Sequence, residues 1–236
     1  MKFLDWIYPP ICEVCGCGLT DGQTICASCA EAMPLMTPPF CEVCGEKFHG
    51  KIDESFACVN CKGASFHFDF ARAALFRCDK ALELIHKLKY DKQIHLAADL
   101  GKLACAALED PRLAIALEEK WPLVPVPLHR SRLMDRQFNQ AEEIARGISL
   151  QTQLPIQLLL KRRRRTDTQT RLSRKQRMEN LKNAFTMRQP FASEQLASGY
   201  LLVDDVFTTG STVNECAKVL RKAGAQKVAV LTVMRG

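Results

Sequence analysis

The sequence predicts an α/β fold, a parallel sheet with helices on its faces, preceded by a small cysteine-rich module. Three observations predict it. From about residue 67, strand patterns alternate with helix patterns, as in chains that build parallel sheets. One apolar run, Tyr200-Leu201-Leu202-Val203, leads into two acids, a short Thr/Gly/Ser stretch and a helix. Nine of the twelve cysteines precede residue 62.

The 236 residues suit a small domain at 1–66 and a medium one at 67–236. Hydrophobic residues at 47% and charged residues at 25% are ordinary for a globular chain. No apolar run reaches the roughly 18 residues a membrane-spanning helix needs. The first ten residues lack the small-residue cleavage pattern of a signal peptide. The expectation is a cytoplasmic protein, with its thiols reduced and free to bind metal.

The cysteines form four Cys-x-x-Cys pairs: Cys12/Cys15, Cys26/Cys29, Cys41/Cys44 and Cys58/Cys61. Each pair can grip one metal from a tight turn, and two pairs complete a tetrahedral thiolate site of the kind zinc prefers. Cys12-Glu13-Val14-Cys15-Gly16 recurs letter for letter as Cys41-Glu42-Val43-Cys44-Gly45. Two zinc ribbons in tandem, each with a structural Zn2+, follow. Crossed pairing stays open, and so does a place for Cys17 beside the first knuckle. Redox-active pairs would need a βαβ setting that the sequence here lacks.

Charge is unevenly placed. Residues 1–66 carry four Lys against eight acids, a net of −4. Residues 161–188 carry eleven Lys and Arg against two acids, a net of +9, which leaves −2 for everything else in a chain of net +7. The ribbons therefore lack the basic footprint that holds a phosphate backbone, and docking or stabilisation suits them better.

In the body, 68–77 reads as a strand, 80–89 and 94–108 as helices, and 121–127 as a short strand. Residues 132–148 read as one amphipathic helix and 156–160 as a buried strand. The last three elements are a strand at 199–206, a helix at 212–223 capped by Thr212 and Glu215, and a strand at 227–233. The junction of the first two carries Asp204 and Asp205 at the strand's end, then Thr208, Thr209, Gly210 and Ser211, and Thr212 at the helix start. Free amides and hydroxyls at a helix N-terminus suit a phosphate dianion. Two carboxylates beside them suit the cis hydroxyls of a ribose. The absence of Gly-Lys-Ser/Thr argues against a nucleoside-triphosphate loop.

An apolar strand, two acids and Thr-Thr-Gly-Ser/Thr resemble the signature of type I phosphoribosyltransferases. Val124-Pro125-Val126-Pro127-Leu128-His129-Arg130, continuing to Arg136-Gln137-Phe138-Asn139-Gln140, is similar to the ComF family, associated with competence and DNA uptake. So are Thr166, Gln169, Arg177 and Asn180 by their spacing, and the cysteine-rich start. The family has Gly where Gln137 stands. The resemblance implies a type I phosphoribosyltransferase-like sheet that binds phosphoribosyl pyrophosphate with Mg2+. Asp204, Asp205, Arg165 and Arg177 would be catalytic. The phosphate loop 208–212 would hold the 5-phosphate, and Pro127, Leu128, His129 and Arg130 the pyrophosphate. A loop at 163–177 would close over the site. A second expectation is a non-catalytic adaptor that senses the ligand and handles single-stranded DNA with DNA-uptake proteins.

Overall fold

The computed structural model describes residues 9–19, 22–48, 50, 55–164, 180–189 and 197–236. A five-residue helix, α1 (Ala27–Glu31), lies within the cysteine-rich start. The body follows as β1 (Phe70–Leu75), α2 (Asp79–Tyr90), α3 (Leu96–Ala104), a 3₁₀ turn (Cys105–Glu109), α4 (Pro111–Glu118) and β2 (Leu123–Pro125). Then come α5 (Arg130–Arg136), α6 (Gln140–Thr152), β3 (Leu160–Arg162), β4 (Phe185–Met187), β5 (Tyr200–Phe207), α7 (Ser211–Lys222) and β6 (Val228–Arg235). β1, β6, β5 and β2 form one parallel sheet in that order, and β3 pairs antiparallel with β4.

The sheet sorts its side chains onto two cores. Leu201, Val203 and Leu231 pack with α3 and α6, while Leu202, Val230 and Tyr200 pack with Val213, Cys216 and Leu220 of α7. Strands buried on both faces read as continuous apolar runs, which is why β5 and β6 are legible in the sequence. α3 crosses α6 at two glycines: a Cβ on Gly101 would lie 2.7 Å from Gly147 Cα and 2.7 Å from the Ile144 carbonyl oxygen.

The ribbons are sewn to this body. Residues 34–36 run along β1, with Met36 N–H donating to the Ala74 carbonyl (2.8 Å), Phe76 N–H to that of Pro34 (3.0 Å), and an antiparallel bridge between Leu35 and Leu75. At the opposite border, Leu123 N–H donates to Pro155 and Gln157 N–H to Leu123, at 2.8 and 2.9 Å. The first ribbon docks through Thr24, whose N–H and hydroxyl donate to Asp99 (2.6 and 2.7 Å), and through Glu13, which pairs with Lys87 at 3.1 Å. The second is held by Arg235–Glu46 and by Ala71 N–H donating to Val43. Beside it Arg72, 3% exposed, pairs with Asp110 between the rings of Phe40 and Phe70.

Four sequence expectations are corrected. The helix expected at 132–148 is two, because Gln137 turns left-handed (φ 71°) and Asn139 caps α6 through Ala141 N–H. Gln137 thus occupies a conformation that glycine adopts more cheaply. Residues 156–160 are not a sheet strand: Ile156 makes a single bridge to Leu123, and the chain then turns into the β3–β4 hairpin. α7 begins at Ser211 with Gly210 (φ 75°) as its cap, so Thr212 and Glu215 form no capping box. Glu215 instead accepts Asn183 N–H at 3.1 Å. The helix at 94–108 ends at Ala104 and continues as the 3₁₀ turn. α4 went unread, although Asp110 before Pro111 is a start signal, and Asp110 does accept Arg112 N–H at 2.9 Å.

Candidate functional site

The knuckles meet in chain order, the first pair with the second and the third with the fourth. The sulfurs of Cys41, Cys44, Cys58 and Cys61 lie within 4.8 Å of one another, three of the four residues being buried. Cys58 N–H donates to Cys41 Sγ at 3.2 Å. A hydrogen bond from Cys44, helped by backbone amides and opposed by burial, holds the Cys41 thiol at about 4. At the first site, Cys12, Cys15, Cys17 and Cys26 form the tight group. Cys29 adjoins it, its thiol within hydrogen-bonding reach of Cys26, Cys15 and Cys12. Five sulfurs thus surround a site expected to use four, and Cys17 stands as close as the expected ligands. All twelve cysteines are free thiols. Closed, all-sulfur donor sets with amides aimed at sulfur fit structural zinc at both positions.

The second candidate site lies at the C-terminal ends of the strands, where open α/β sheets bind ligands. β5 delivers Asp204 and Asp205, and the loop after it turns on Gly210 into α7. A Cβ on Gly210 would lie 2.7 Å from the Phe207 ring, so the loop is packed down on that ring. Thr209 and Ser211 hydroxyls are 2.8 Å apart, and Ser211 N–H donates to Thr209 Oγ1 (3.4 Å). In front of the loop opens a cleft of about 670 Å³ that reaches Asp204, Asp205, Thr208 and Thr212 on one wall and Pro127 and Leu128 on the other.

The cleft contains cations that the sequence reading missed: Lys89, Arg132, Arg136 and Arg162. Lys89 pairs with Asp205, and Gln140 donates to the other Asp205 oxygen at 3.1 Å. Burial, with Arg132 next to it, brings the Arg162 guanidinium down to about 10. Burial and the charge of Asp205 raise Asp204 well above the ordinary carboxylate range. Asp205 moves the other way: burial opposes ionisation, but the charge of Lys89 and bonds from Lys89, Asp204 and Gln140 outweigh it. The two carboxyls are thus pushed in opposite directions, Asp204 up and Asp205 down.

Not every expected residue meets the cleft. His129 caps α5, accepting Ser131 N–H at Nδ1 (3.2 Å), and Arg130 is exposed and absent from the cleft walls. The loop expected at 163–177 lies outside the described residues beyond Arg164, so Arg165 and Arg177 do too. Nothing local marked Lys89. Arg132 sits two residues past the turn that the sequence singled out, Arg162 near the start of the basic run, and Gln140 at the end of a motif already quoted. Among the described residues no helix is long and apolar enough to cross a membrane.

Comparison with known proteins finds two family matches along the chain. Residues 3–62 match the double zinc ribbon domain, and residues 138–236 the phosphoribosyl transferase domain. Competence protein F of Haemophilus influenzae is 36% identical over 156 residues, 64% of this chain and 66% of that protein. DNA utilization protein YhgH of Escherichia coli is 36% identical over 154 residues with the same shares, 64% and 66%. Competence protein ComFC of Streptococcus pneumoniae is 31% identical over 120 residues, 50% of this chain and 49% of its own. The matched stretch thus spans just under two thirds of the first two relatives. With a double zinc ribbon ahead of a phosphoribosyl transferase domain, and relatives named for competence, the chain belongs to the ComF family.

Proposed function

We propose that the cleft binds Mg2+–phosphoribosyl pyrophosphate, and that the protein serves DNA uptake and natural transformation, as the names of its relatives suggest. One observation carries the ligand reading: the acid pair, the two ends of the loop after it (Thr208 and Thr212) and the Pro127–Leu128 turn border the same 670 Å³ space. The 5-phosphate would sit on the amides and hydroxyls of Thr208, Thr209, Gly210, Ser211 and Thr212, and the ribose hydroxyls on Asp204 and Asp205. The pyrophosphate would lie toward Pro127, Leu128, Arg132 and Arg162. Magnesium bound with the ligand would neutralise part of the phosphate charge, keeping few protein ligands. A reaction at this site would join ribose C1 to a nucleophile and release pyrophosphate, with the nearby arginines stabilising the charge that develops on the leaving group. The division of the chain at residues 66 and 67, and a cytoplasmic location, belong to the same proposal.

Calorimetry with phosphoribosyl pyrophosphate and Mg2+ tests it. Wild type should bind, and Asp204→Ala with Asp205→Ala should weaken binding about a hundredfold or more. Undiminished binding in the double variant would remove the site from the acid pair. Affinity should also rise with pH. The raised Asp204 keeps its proton to a higher pH than a free carboxyl, and a metal-bound ribose needs the carboxylate, so binding strengthens until Asp204 is ionised and then levels off. A flat pH series would contradict that assignment.

A second reading has its own observation. Between the β3–β4 hairpin and α7 runs a groove of about 670 Å³ bordered by Arg163, Arg188, Lys218 and Lys222. A non-catalytic adaptor that holds single-stranded DNA would use such a surface, with binding that falls steeply with salt. Pyrophosphate release in the presence of candidate acceptors favours the enzyme. Ligand binding without release, alongside salt-dependent DNA binding, favours the adaptor.

A further inference from the structure

We propose that Lys89 is a resident cation on the acid pair, barring free divalent metal from the cleft and releasing Asp205 only to a ligand that brings phosphate with its metal. The inference rests on the reading of the cleft as a phosphoribosyl pyrophosphate site and concerns how that site is controlled.

Lys89 sits in the last turn of α2, well away in sequence from the motif it meets. Its side chain is 18% exposed and that of Asp205 5%, so the pair is largely shielded from solvent and salt. Both Asp205 oxygens are engaged by the protein itself, one facing Lys89 and one accepting from Gln140. Asp204 Oδ1 accepts the Asp205 N–H at 2.9 Å. An acid pair meant for a bare dication would leave its oxygens open; here Asp205 arrives already paired with a cation.

The rest of the lining points the same way. Lys89, Arg132, Arg136 and Arg162 face Asp135, Asp204 and Asp205, a formal surplus of one positive charge. Such a cleft repels a free dication and attracts a metal–phosphate complex that is still anionic overall. The lysine stem is also suited to the exchange. Four methylenes with a compact ammonium can swing from a carboxylate to a phosphate, which a rigid guanidinium fork does less readily. The helix beneath need not move, because Lys87, two residues earlier, is anchored on Glu13 of the first ribbon at 3.1 Å. Lys89 is therefore a positioning residue, acting through Asp205 until phosphate arrives.

The test uses full-length, zinc-loaded protein titrated with Mn2+ alone, and then with Mn2+ in the presence of phosphoribosyl pyrophosphate. Wild type should bind Mn2+ alone no better than Asp205→Asn. Lys89→Met should bind Mn2+ alone at least about tenfold more tightly than wild type, since an uncompensated acid pair is left behind. Lys89→Gln should do the same and serves if the methionine variant fails to fold. Lys89→Arg, which keeps the charge, should match wild type. Mn2+ binding unchanged in Lys89→Met and Lys89→Gln overturns the proposal. A wild type that ignores Mn2+–phosphoribosyl pyrophosphate sinks the ligand reading instead, while the titrations with metal alone still decide the role of Lys89.

Discussion

Cys44→Ser is expected to strip one of two zinc ions from the protein and lower its melting temperature by about 10 °C or more. Cys44 is 4% exposed and its sulfur lies 3.7 Å from that of Cys58, so no water can take its place at the metal without opening the ribbon. Structural zinc in small modules contributes on the order of 10 kcal/mol, comparable with the whole stability of a domain. The damage should spread to the proposed ligand cleft. Cys44 and Cys61 share a crevice of about 240 Å³ with Phe207, Thr208 and Thr209, at the loop after β5. Arg235 spans the same gap, pairing with Glu46 and donating to the Phe207 carbonyl at 2.9 Å. The first ribbon makes the control. Cys29→Ser leaves four sulfurs in the tight group of Cys12, Cys15, Cys17 and Cys26, so that variant should keep both zinc ions. Elemental analysis beside a thermal melt reads both outcomes, and equal zinc loss in the two variants would contradict the five-sulfur reading.

Gly101→Ala should cost about 3 kcal/mol, the upper end for an overpacked core. The new methyl would lie 2.7 Å from Gly147 Cα and 2.7 Å from the Ile144 carbonyl, and these are backbone atoms that no rotamer change can move aside. α3 and α6 would have to separate, loosening Leu100, Ile144 and Ile148, all fully buried. Gly147→Ala meets Ala98 O at 2.9 Å and Gly101 Cα at 3.0 Å, so it strains the same contact. The double variant should therefore cost less than the sum of the singles, because helices once parted accommodate the second methyl. Chemical denaturation of the three variants measures this. Wild-type stability in Gly101→Ala would mean that the helices do not touch.

Features carried by one short contiguous stretch are legible in the sequence, and those made by distant residues are not. The zinc ligands announced themselves because metal chelation needs fixed spacing within one short stretch, and the repeated Cys-Glu-Val-Cys-Gly left little choice. β5 and its loop were readable for the same reason: apolar run, acid pair and the Thr-Thr-Gly-Ser-Thr turn are contiguous. The Gly101–Gly147 crossing was not, since two glycines 46 residues apart acquire meaning only when the helices meet. Lys89 is the extreme case. It is one of several lysines on α2, and only the register of that helix against β5 selects it over Lys87 to face Asp205. His129 shows the opposite failure. Sitting inside a suggestive motif, it is occupied by an ordinary capping bond. The split between α5 and α6 stayed hidden because the apolar stripe persists through Gln137, while the backbone there turns left-handed.

Both borders of the central sheet are covered by the chain itself, β1 by residues 34–36 and β2 by residues 155–157. Among the described residues, these segments occupy amides and carbonyls on each border that would otherwise template another strand. Strand addition, the route by which many binding modules capture extended peptides, is therefore closed to this sheet. Whatever associates with the body must recognise side chains on its helices, its hairpin or its ribbons. Because one of the two covering segments comes from the stretch between the zinc knuckles, the metal-binding start of the chain also acts as the sheet's guard against sticking to its own copies.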